Sequence, residues 1–180
     1  IVDTPHKGER AGLFNGLAGS YIPIFSHDFA TGFTMYGKQR VNSALVDSAL
    51  GGCGNAVNQS GQFQAWRDEF TPDRFGMAYY TVAWTVLYAT VPTPNETDWY
   101  SWGACYGSNA VRLYVNGEEE VSATATLDSS VEIVNIGTGT SSESKNHNGE
   151  YSYFCFYDRE LTPDEFKRLD ADPFQILIPA

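Results

Sequence analysis

The sequence predicts an all-β fold, a two-sheet sandwich that forms a single domain over residues 1–180. Short stretches rich in Val, Tyr, Phe, Trp and Thr alternate with turn residues about every eight to twelve positions, a spacing typical of sandwiches and barrels. Hydrophobic residues make up 42% of the chain and aromatic residues 14%, which is enough to fill one core. The sequence shows no long helical pattern among these stretches and no internal repeat.

The first third of the chain carries the weaker strand signals. One strand is expected near residues 21–25. Residues 45–61 contain too many Gly and Asn for a helix, so loops around short strands are expected there. Phe63 and Ala65 then alternate with glutamines, the period of a half-buried strand.

Residues 74–92 give the strongest strand signal. The stretch is rich in Tyr, Val, Thr and Trp, and Pro92 ends it because proline cannot donate to a central ladder. Its alternation places four apolar side chains on one face: Val82, Trp84, Val86 and Tyr88.

Residues 99–126 indicate an antiparallel meander. Asn116-Gly117 is the pair that closes a tight type I′ hairpin, because both residues accept a positive φ at low cost. A second turn is expected at Gly107-Ser108-Asn109. Strands are therefore expected at residues 99–106, 111–115 and 118–126, with two more at 131–139 and 151–157.

A short helix is predicted over residues 162–170. Thr162 is the N-cap, Pro163 occupies the first helical position, and Glu165 completes a capping box. Phe166 and Leu169 form a single apolar stripe, so the helix must pack against a sheet. The following Asp-Pro pair ends it.

The second half of the chain contains a familiar series of motifs. "LYVNG" at residues 113–117 is followed by an Ile-Gly pair at 136–137 and then by a strand-and-helix signature. The signature residues are Phe154, Phe156, Tyr157, Arg159, Leu161, Thr162 and Glu165. Over residues 75–170 the chain resembles the concanavalin A-like, laminin-G-type jelly roll, which implies a jelly-roll β-sandwich with one short C-terminal helix and an extended tail.

The last residues, "ADPFQILIPA", resemble an ending that is common after such domains in bacteriophage and metagenomic viral proteins. This resemblance implies a virion protein. The tail is too apolar to remain in water, so we expect it to cover the chain's own sheet or a neighbouring molecule. The residues concerned are Phe174, Ile176, Leu177 and Ile178.

The net charge of −11 excludes two classes of partner. It comes from 22 acidic and 11 basic residues, and such a chain is repelled by nucleic acid and by anionic membrane surfaces. No stretch approaches the roughly 20 apolar residues that span a bilayer, so no membrane insertion is expected.

No cofactor and no metal ligand set is predicted. Cys53, Cys105 and Cys155 are scattered and odd in number, so we interpret them as partly buried thiols that behave as small hydrophobic groups. Members of the resembled superfamily can bind calcium through loop oxygens. The loop residues Asp98, Asn146 and Asn148 match no fixed ligand spacing, so solvated loops are the simpler interpretation.

The sequence predicts that the protein is not an enzyme and that it has no catalytic residues. Related jelly rolls include β-glucanases, which place two carboxylates on one strand face, and no stretch here has that pattern. The histidines His6, His27 and His147 lie in loop-like contexts with no nucleophile elbow beside them.

Surplus aromatic residues are the remaining candidates for a binding site. We expect Tyr80, Tyr100 and Tyr114 to face outward, where rings stack on sugars in lectins, with Arg112 beside Tyr114 to hold a hydroxyl or carboxylate. The alternative is that these rings form cross-strand pairs or lie at an interface.

Two functional hypotheses follow. The first is a virion structural or interaction protein at the particle surface, a capsid decoration or a tail or fibre module that contacts other virion proteins or copies of itself. The second is a secreted or surface carbohydrate-binding lectin, dependent on calcium in one version. The two are compatible, since a decoration protein can also adhere to glycans.

Overall fold

The computed structural model describes residues 2–3, 10–15, 22–41, 48–53, 62–68, 74–90, 98–129, 131–137 and 147–173. Within these ranges the chain forms thirteen β-strands, one 3-10 turn at Phe29–Thr31 and one α-helix, α1, at Pro163–Ala171. The strands are β1 Val2–Asp3, β2 Arg10–Asn15, β3 Ile22–Asp28, β4 Phe33–Val41, β5 Ser48–Cys53, β6 Phe63–Asp68, β7 Arg74–Tyr80, β8 Trp84–Tyr88, β9 Tyr100–Gly107, β10 Ala110–Val115, β11 Glu118–Thr124, β12 Val131–Ile136 and β13 Asn148–Tyr157.

The strands form two antiparallel sheets. One has the order β1-β2-β13-β4-β9-β10-β11, and we call it the seven-stranded sheet. The other has the order β3-β12-β5-β6-β7-β8, and we call it the six-stranded sheet. The predicted all-β jelly-roll sandwich with a short C-terminal helix is confirmed, whereas the single domain over 1–180 stays a prediction. The tail residues Phe174, Ile176, Leu177 and Ile178 lie outside the described ranges.

The core lies between the sheets and is largely aromatic. The seven-stranded sheet contributes Phe33, Trp102 and Leu113, which are fully buried with Phe63 and Phe75 of the six-stranded sheet. Burying one such side chain stabilises the fold by about 1.5–3 kcal/mol. In β7, β9 and β10 every second residue points into this core, so the side chains between them face away from it.

Both predicted turns of the meander are confirmed. Asn116 and Gly117 have φ values of 49° and 79°, and Val115 pairs with Glu118 across them. Ser108 and Asn109 have φ values of 50° and 58° and join β9 to β10. Two residues with positive φ give the twist that a tight hairpin between right-handed strands requires.

The strand signal over residues 74–92 is in fact a hairpin. β7 and β8 pair antiparallel, Tyr80 opposite Trp84, and the chain reverses over residues 81–83. Val82 therefore stands at the tip, with 93% of its surface exposed, and does not continue the predicted face. This turn contains no Gly, Pro, Asn or Asp, the residues that usually indicate a turn. The sequence pattern therefore predicts one continuous strand where the structure has a hairpin.

The helix packs on the outer face of the seven-stranded sheet. Thr162 accepts from the backbone N–H of Glu165, and the Glu165 side chain accepts from the backbone N–H of Thr162, which confirms the capping box. Phe166 stacks on Tyr114 with ring centroids 3.7 Å apart. Gly103 leaves the room for this ring, because a Cβ there would lie 2.9 Å from Cδ1 of Phe166 and closer still to Cε1.

Candidate functional site

The four predicted binding residues lie in three different layers of the sandwich. Tyr100 points into the core, where it is 1% exposed. Its hydroxyl accepts a hydrogen bond from Nε2 of Gln39 at 2.6 Å, and its ring meets Phe75 at 4.8 Å. The expected outward orientation of Tyr100 is wrong, because the phase of β9 turns it inward with Trp102.

Tyr114 and Arg112 lie on the outer face of the seven-stranded sheet, beneath and beside α1. The Tyr114 ring is 1% exposed because Phe166 covers it, and its hydroxyl donates to Oε2 of Glu119 at 3.1 Å. The Arg112 guanidinium donates to Glu160 and lies 3.8 Å from Glu119. The expectation that Tyr114 is open to a ligand is therefore wrong, since the ring faces outward but is covered.

Charged groups secure this covered face. Arg159 donates to both carboxylate oxygens of Glu165, at 2.6 and 3.0 Å, and holds the pKa of Glu165 at about 2, below its ordinary 4.5. Ser101 donates to Asp170 at 2.5 Å. Beneath the helix, burial raises the pKa of the Cys105 thiol to about 12. Ser101 and Tyr114 of this face therefore contact α1 directly, through Asp170 and Phe166.

Tyr80 lies on the other side of the molecule, on the outer face of the six-stranded sheet. It is partly exposed, and its ring meets Trp84 edge-on with centroids 5.5 Å apart. Because β6, β7 and β8 alternate, other side chains join it on this side. They are Trp66, Arg74, Ala78, Trp84, Val86 and Tyr88, and with Tyr80 we call them the aromatic face.

Gly76 organises one end of the aromatic face. It pairs with Trp66 on β6 and with Tyr88 on β8. A Cβ at Gly76 would lie 3.2 Å from the Tyr88 ring and 3.3 Å from the Trp66 ring, so the missing side chain lets the two rings approach each other. Their centroids are 6.4 Å apart in an edge-on arrangement.

Arg74 adds a cation to the same end. Its Cζ lies 3.4 Å from the centroid of the Tyr88 ring, which is a cation–π contact. The ring therefore holds a planar group of hydrogen-bond donors at a fixed place beside the aromatic side chains. This end of the face combines a donor group with apolar rings, the combination that binding sites for small polar ligands use.

Buried amides continue the outer face towards its centre. Asn135, Gly52, Gln64, Ala78 and Val86 are neighbours in one row across five strands. Asn135 is fully buried, its Nδ2 donates to the carbonyl of Ile133 at 3.2 Å, and its Oδ1 has no hydrogen-bond partner among the described residues. Asn135, Gln64 and Ala78 are buried, whereas Val86 is 42% exposed, so the accessible end of the row lies on β8.

Reasoning from the sequence missed most of the aromatic face. The predicted common face of Trp84, Val86 and Tyr88 is confirmed. Which face stays open depends on where α1 packs, and the sequence of β8 contains no information about that. No pattern in the sequence indicates that Trp66 and Arg74 lie on this face.

The part of the chain that the structure describes contains neither a cluster of metal-ligating side chains nor a membrane-spanning helix. No three His, Cys, Asp or Glu side chains in it come close enough together to hold a metal ion. No helix in it is both long and apolar enough to cross a bilayer.

The architecture is similar to that of several solved structures. The native heptameric SAP-like pentraxin of Limulus polyphemus aligns with a TM-score of 0.67 at 13% identity, over 88% of this chain and 80% of that one. CBM40 of the Ruminococcus gnavus IT-sialidase, bound to alpha2,3 sialyllactose, gives 0.64 at 16% identity, over 83% and 96%. Domain 4 of a GH43 extracellular arabinanase from Geobacillus stearothermophilus, in complex with arabinotriose, gives 0.68 at 16% identity, over 93% and 79%.

Sequence comparison is more specific than this likeness of fold. Among curated protein sequences, none matches the chain. The family model described as the concanavalin A-like lectin/glucanases superfamily matches residues 34–167, more than half of the chain. This match includes β4, which precedes the residues on which the resemblance rested. The chain therefore belongs to the concanavalin A-like lectin/glucanases superfamily.

Proposed function

We propose that this protein is a non-catalytic glycan-binding module and that the aromatic face is its binding surface. The observation that carries the proposal is the cluster of partly exposed Tyr80, Trp84 and Tyr88 with Arg74 stacked on one ring, on the sheet that α1 leaves open. Two proteins of similar fold are recorded with saccharides, sialyllactose in one and arabinotriose in the other.

The chemistry of the face suits a sugar. Faces of Trp and Tyr rings pack against the apolar C–H side of a pyranose or furanose ring and leave the hydroxyl groups at its rim. The Arg74 guanidinium lies against the Tyr88 ring beside this surface, and its fixed position reduces the ordering cost of any contact with those hydroxyls. The described side chains of the face are aromatic, aliphatic and cationic, so a site for hydrolysis, which needs two carboxylates, has no support among them.

The virion role, the particle-surface location and the calcium requirement stay predictions. The virion role rests on the resemblance of residues 171–180, of which the last seven lie outside the described ranges. Glycan binding is compatible with a virion surface and with a secreted protein alike.

A glycan array with and without calcium tests the proposal. We expect wild-type protein to bind a defined group of glycans and to release no product from them. Trp84→Ala should abolish the signal. Trp99→Ala is the matched control, because Trp99 is also partly buried but contacts Arg40 of the seven-stranded sheet, at 5.4 Å. Equal loss in both variants, or no loss in Trp84→Ala, would contradict the proposed surface.

A further inference from the structure

The aromatic face has two separate aromatic stations. The first consists of Trp66, Arg74 and Tyr88 around Gly76. The second consists of Tyr80 and Trp84 beside the hairpin tip. Both stations project from the same side of the same strands, since Trp84 and Tyr88 are an even number of residues apart on β8.

The stations are separated along the strand and not across it. Trp84 and Tyr88 are four positions apart, which at the rise of an antiparallel strand is about 13–14 Å. That length exceeds one monosaccharide ring. A single sugar can therefore stack on one station but cannot cover both.

An aliphatic floor connects the two stations. Ala78 pairs with Val86 in the row between them, with Ala78 buried and Val86 42% exposed. Neither side chain carries a polar group that would need a hydrogen bond from a ligand. A middle sugar can lie across this floor and keep its hydroxyl groups in water, so the floor does not interrupt a chain that crosses it.

None of the described residues closes the far end of the second station. The turn beyond it places Val82 in solvent at 93% exposure, next to the exposed Ala83. A pocket for a terminal sugar needs a wall where the sugar ends, and the described residues provide none at this end.

From this spacing we infer that the aromatic face binds an extended segment of an unbranched oligosaccharide or polysaccharide, which lies along β8 and contacts both stations at once. The inference rests on the proposed function and narrows its ligand from glycans in general to extended chains. The first station holds one sugar against the Arg74 and Tyr88 side chains, whereas the second station holds another through stacking on Trp84.

Calorimetric titration with saccharides of increasing length tests this inference. The probes are arabino-, xylo-, cello- and manno-oligosaccharides from the monosaccharide to the hexasaccharide, with alpha2,3 sialyllactose as a compact probe. In the series that binds, affinity should rise with length until the chain spans both stations and then level off.

Two variants separate the stations. Trp84→Ala and Tyr88→Ala should each lower the affinity for the hexasaccharide by about tenfold or more, the size expected for one aromatic anchor at an interface. Each should also remove the dependence on length. Trp84→Phe and Tyr88→Phe keep a ring and should restore most of the affinity, and thermal unfolding verifies that every variant is folded.

The outcomes distinguish the two proposals. Equal affinity for all lengths, tighter binding of sialyllactose than of any series, or loss in only one of the two Ala variants would overturn the extended-chain inference and leave glycan binding standing. A folded wild-type protein that binds none of these probes would overturn the proposed function itself.

Discussion

The two outer faces of the sandwich contain similar residues and differ in what covers them. On the seven-stranded sheet Tyr114 lies beside Arg112, and on the six-stranded sheet Tyr88 lies beneath Arg74. Phe166 of α1 stacks on Tyr114 and closes the first face, whereas Tyr88 keeps part of its surface open. The role of a Tyr–Arg pair in this fold therefore depends on the layer above it and not on the pair itself.

Removing the covering ring is the largest change we predict. Phe166→Ala removes a fully buried side chain that packs on Tyr36 and Tyr114, so the free energy of unfolding should fall by about 3–5 kcal/mol. Urea denaturation measures it. The folded fraction should still bind glycans, because the open face is on the other sheet. A loss below about 1 kcal/mol would mean that the helix does not cover this face tightly.

The cap of the helix has a smaller effect and a defined dependence on pH. Glu165→Gln should lower the free energy of unfolding at pH 7 by about 1–2 kcal/mol, since it weakens the capping box and the pair with Arg159. The folded pKa of Glu165 is about 2 against an ordinary 4.5, so its stabilisation is present above pH 4.5 and is lost as the pH falls towards 2.

Denaturation at several pH values between 7 and 2 measures this contribution. The difference between wild type and Glu165→Gln should shrink through that acid range. A difference that stays constant down to pH 2 would contradict the lowered pKa.

Substituting Arg112 on one face and Arg74 on the other compares the two faces directly. Arg112→Gln should cost about 1–2 kcal/mol of stability, a value between those of exposed and buried ion pairs, and should leave glycan affinity unchanged. Arg74→Gln should weaken glycan binding about three- to tenfold and cost less than about 1 kcal/mol of stability. Calorimetry and denaturation of both variants measure the two effects. If Arg112→Gln weakens binding as much as Arg74→Gln does, the distinction between the faces fails.

The smallest predicted effect is the protection of a thiol. Cys105 is buried beneath α1 and its pKa is raised to about 12 by burial, so iodoacetamide at pH 8 should leave it unmodified in the native protein. Peptide mapping by mass spectrometry should find it alkylated only after denaturation. Rapid alkylation of Cys105 in the native protein would contradict this protection and would show that the helix often moves away from the sheet.

Local chemistry made part of the fold predictable. The turn at Asn116-Gly117 and the capped helix depend on residues that are adjacent in sequence, and both are as predicted. β4 gave no usable signal, because Gly37, Lys38 and Arg40 interrupt its apolar pattern. Its strand conformation comes from pairing with β9 and β13, which lie far away in the sequence.

The candidate site was harder to predict for the same reason. Tyr100 and Tyr114 have the residue type of a sugar-binding surface, but their exposure depends on the phase of a strand and on the packing of a distant helix. Of the four predicted binding residues, Tyr80 alone lies on the aromatic face, and its binding role stays a prediction. The aromatic face itself is assembled from three strands, and no single stretch of sequence shows it.

The central claim is that saccharide binds to the aromatic face, and the four tryptophans test it in a single experiment. Trp66 and Trp84 lie on the aromatic face, Trp102 is in the core, and Trp99 contacts the seven-stranded sheet. In a ¹⁵N–¹H spectrum each indole N–H gives its own signal, which Trp→Phe variants assign. On titration with the best-binding oligosaccharide, the signals of Trp84 and Trp66 should shift while those of Trp99 and Trp102 stay in place. A shift of Trp99 with Trp84 unmoved at saturating saccharide would contradict the account.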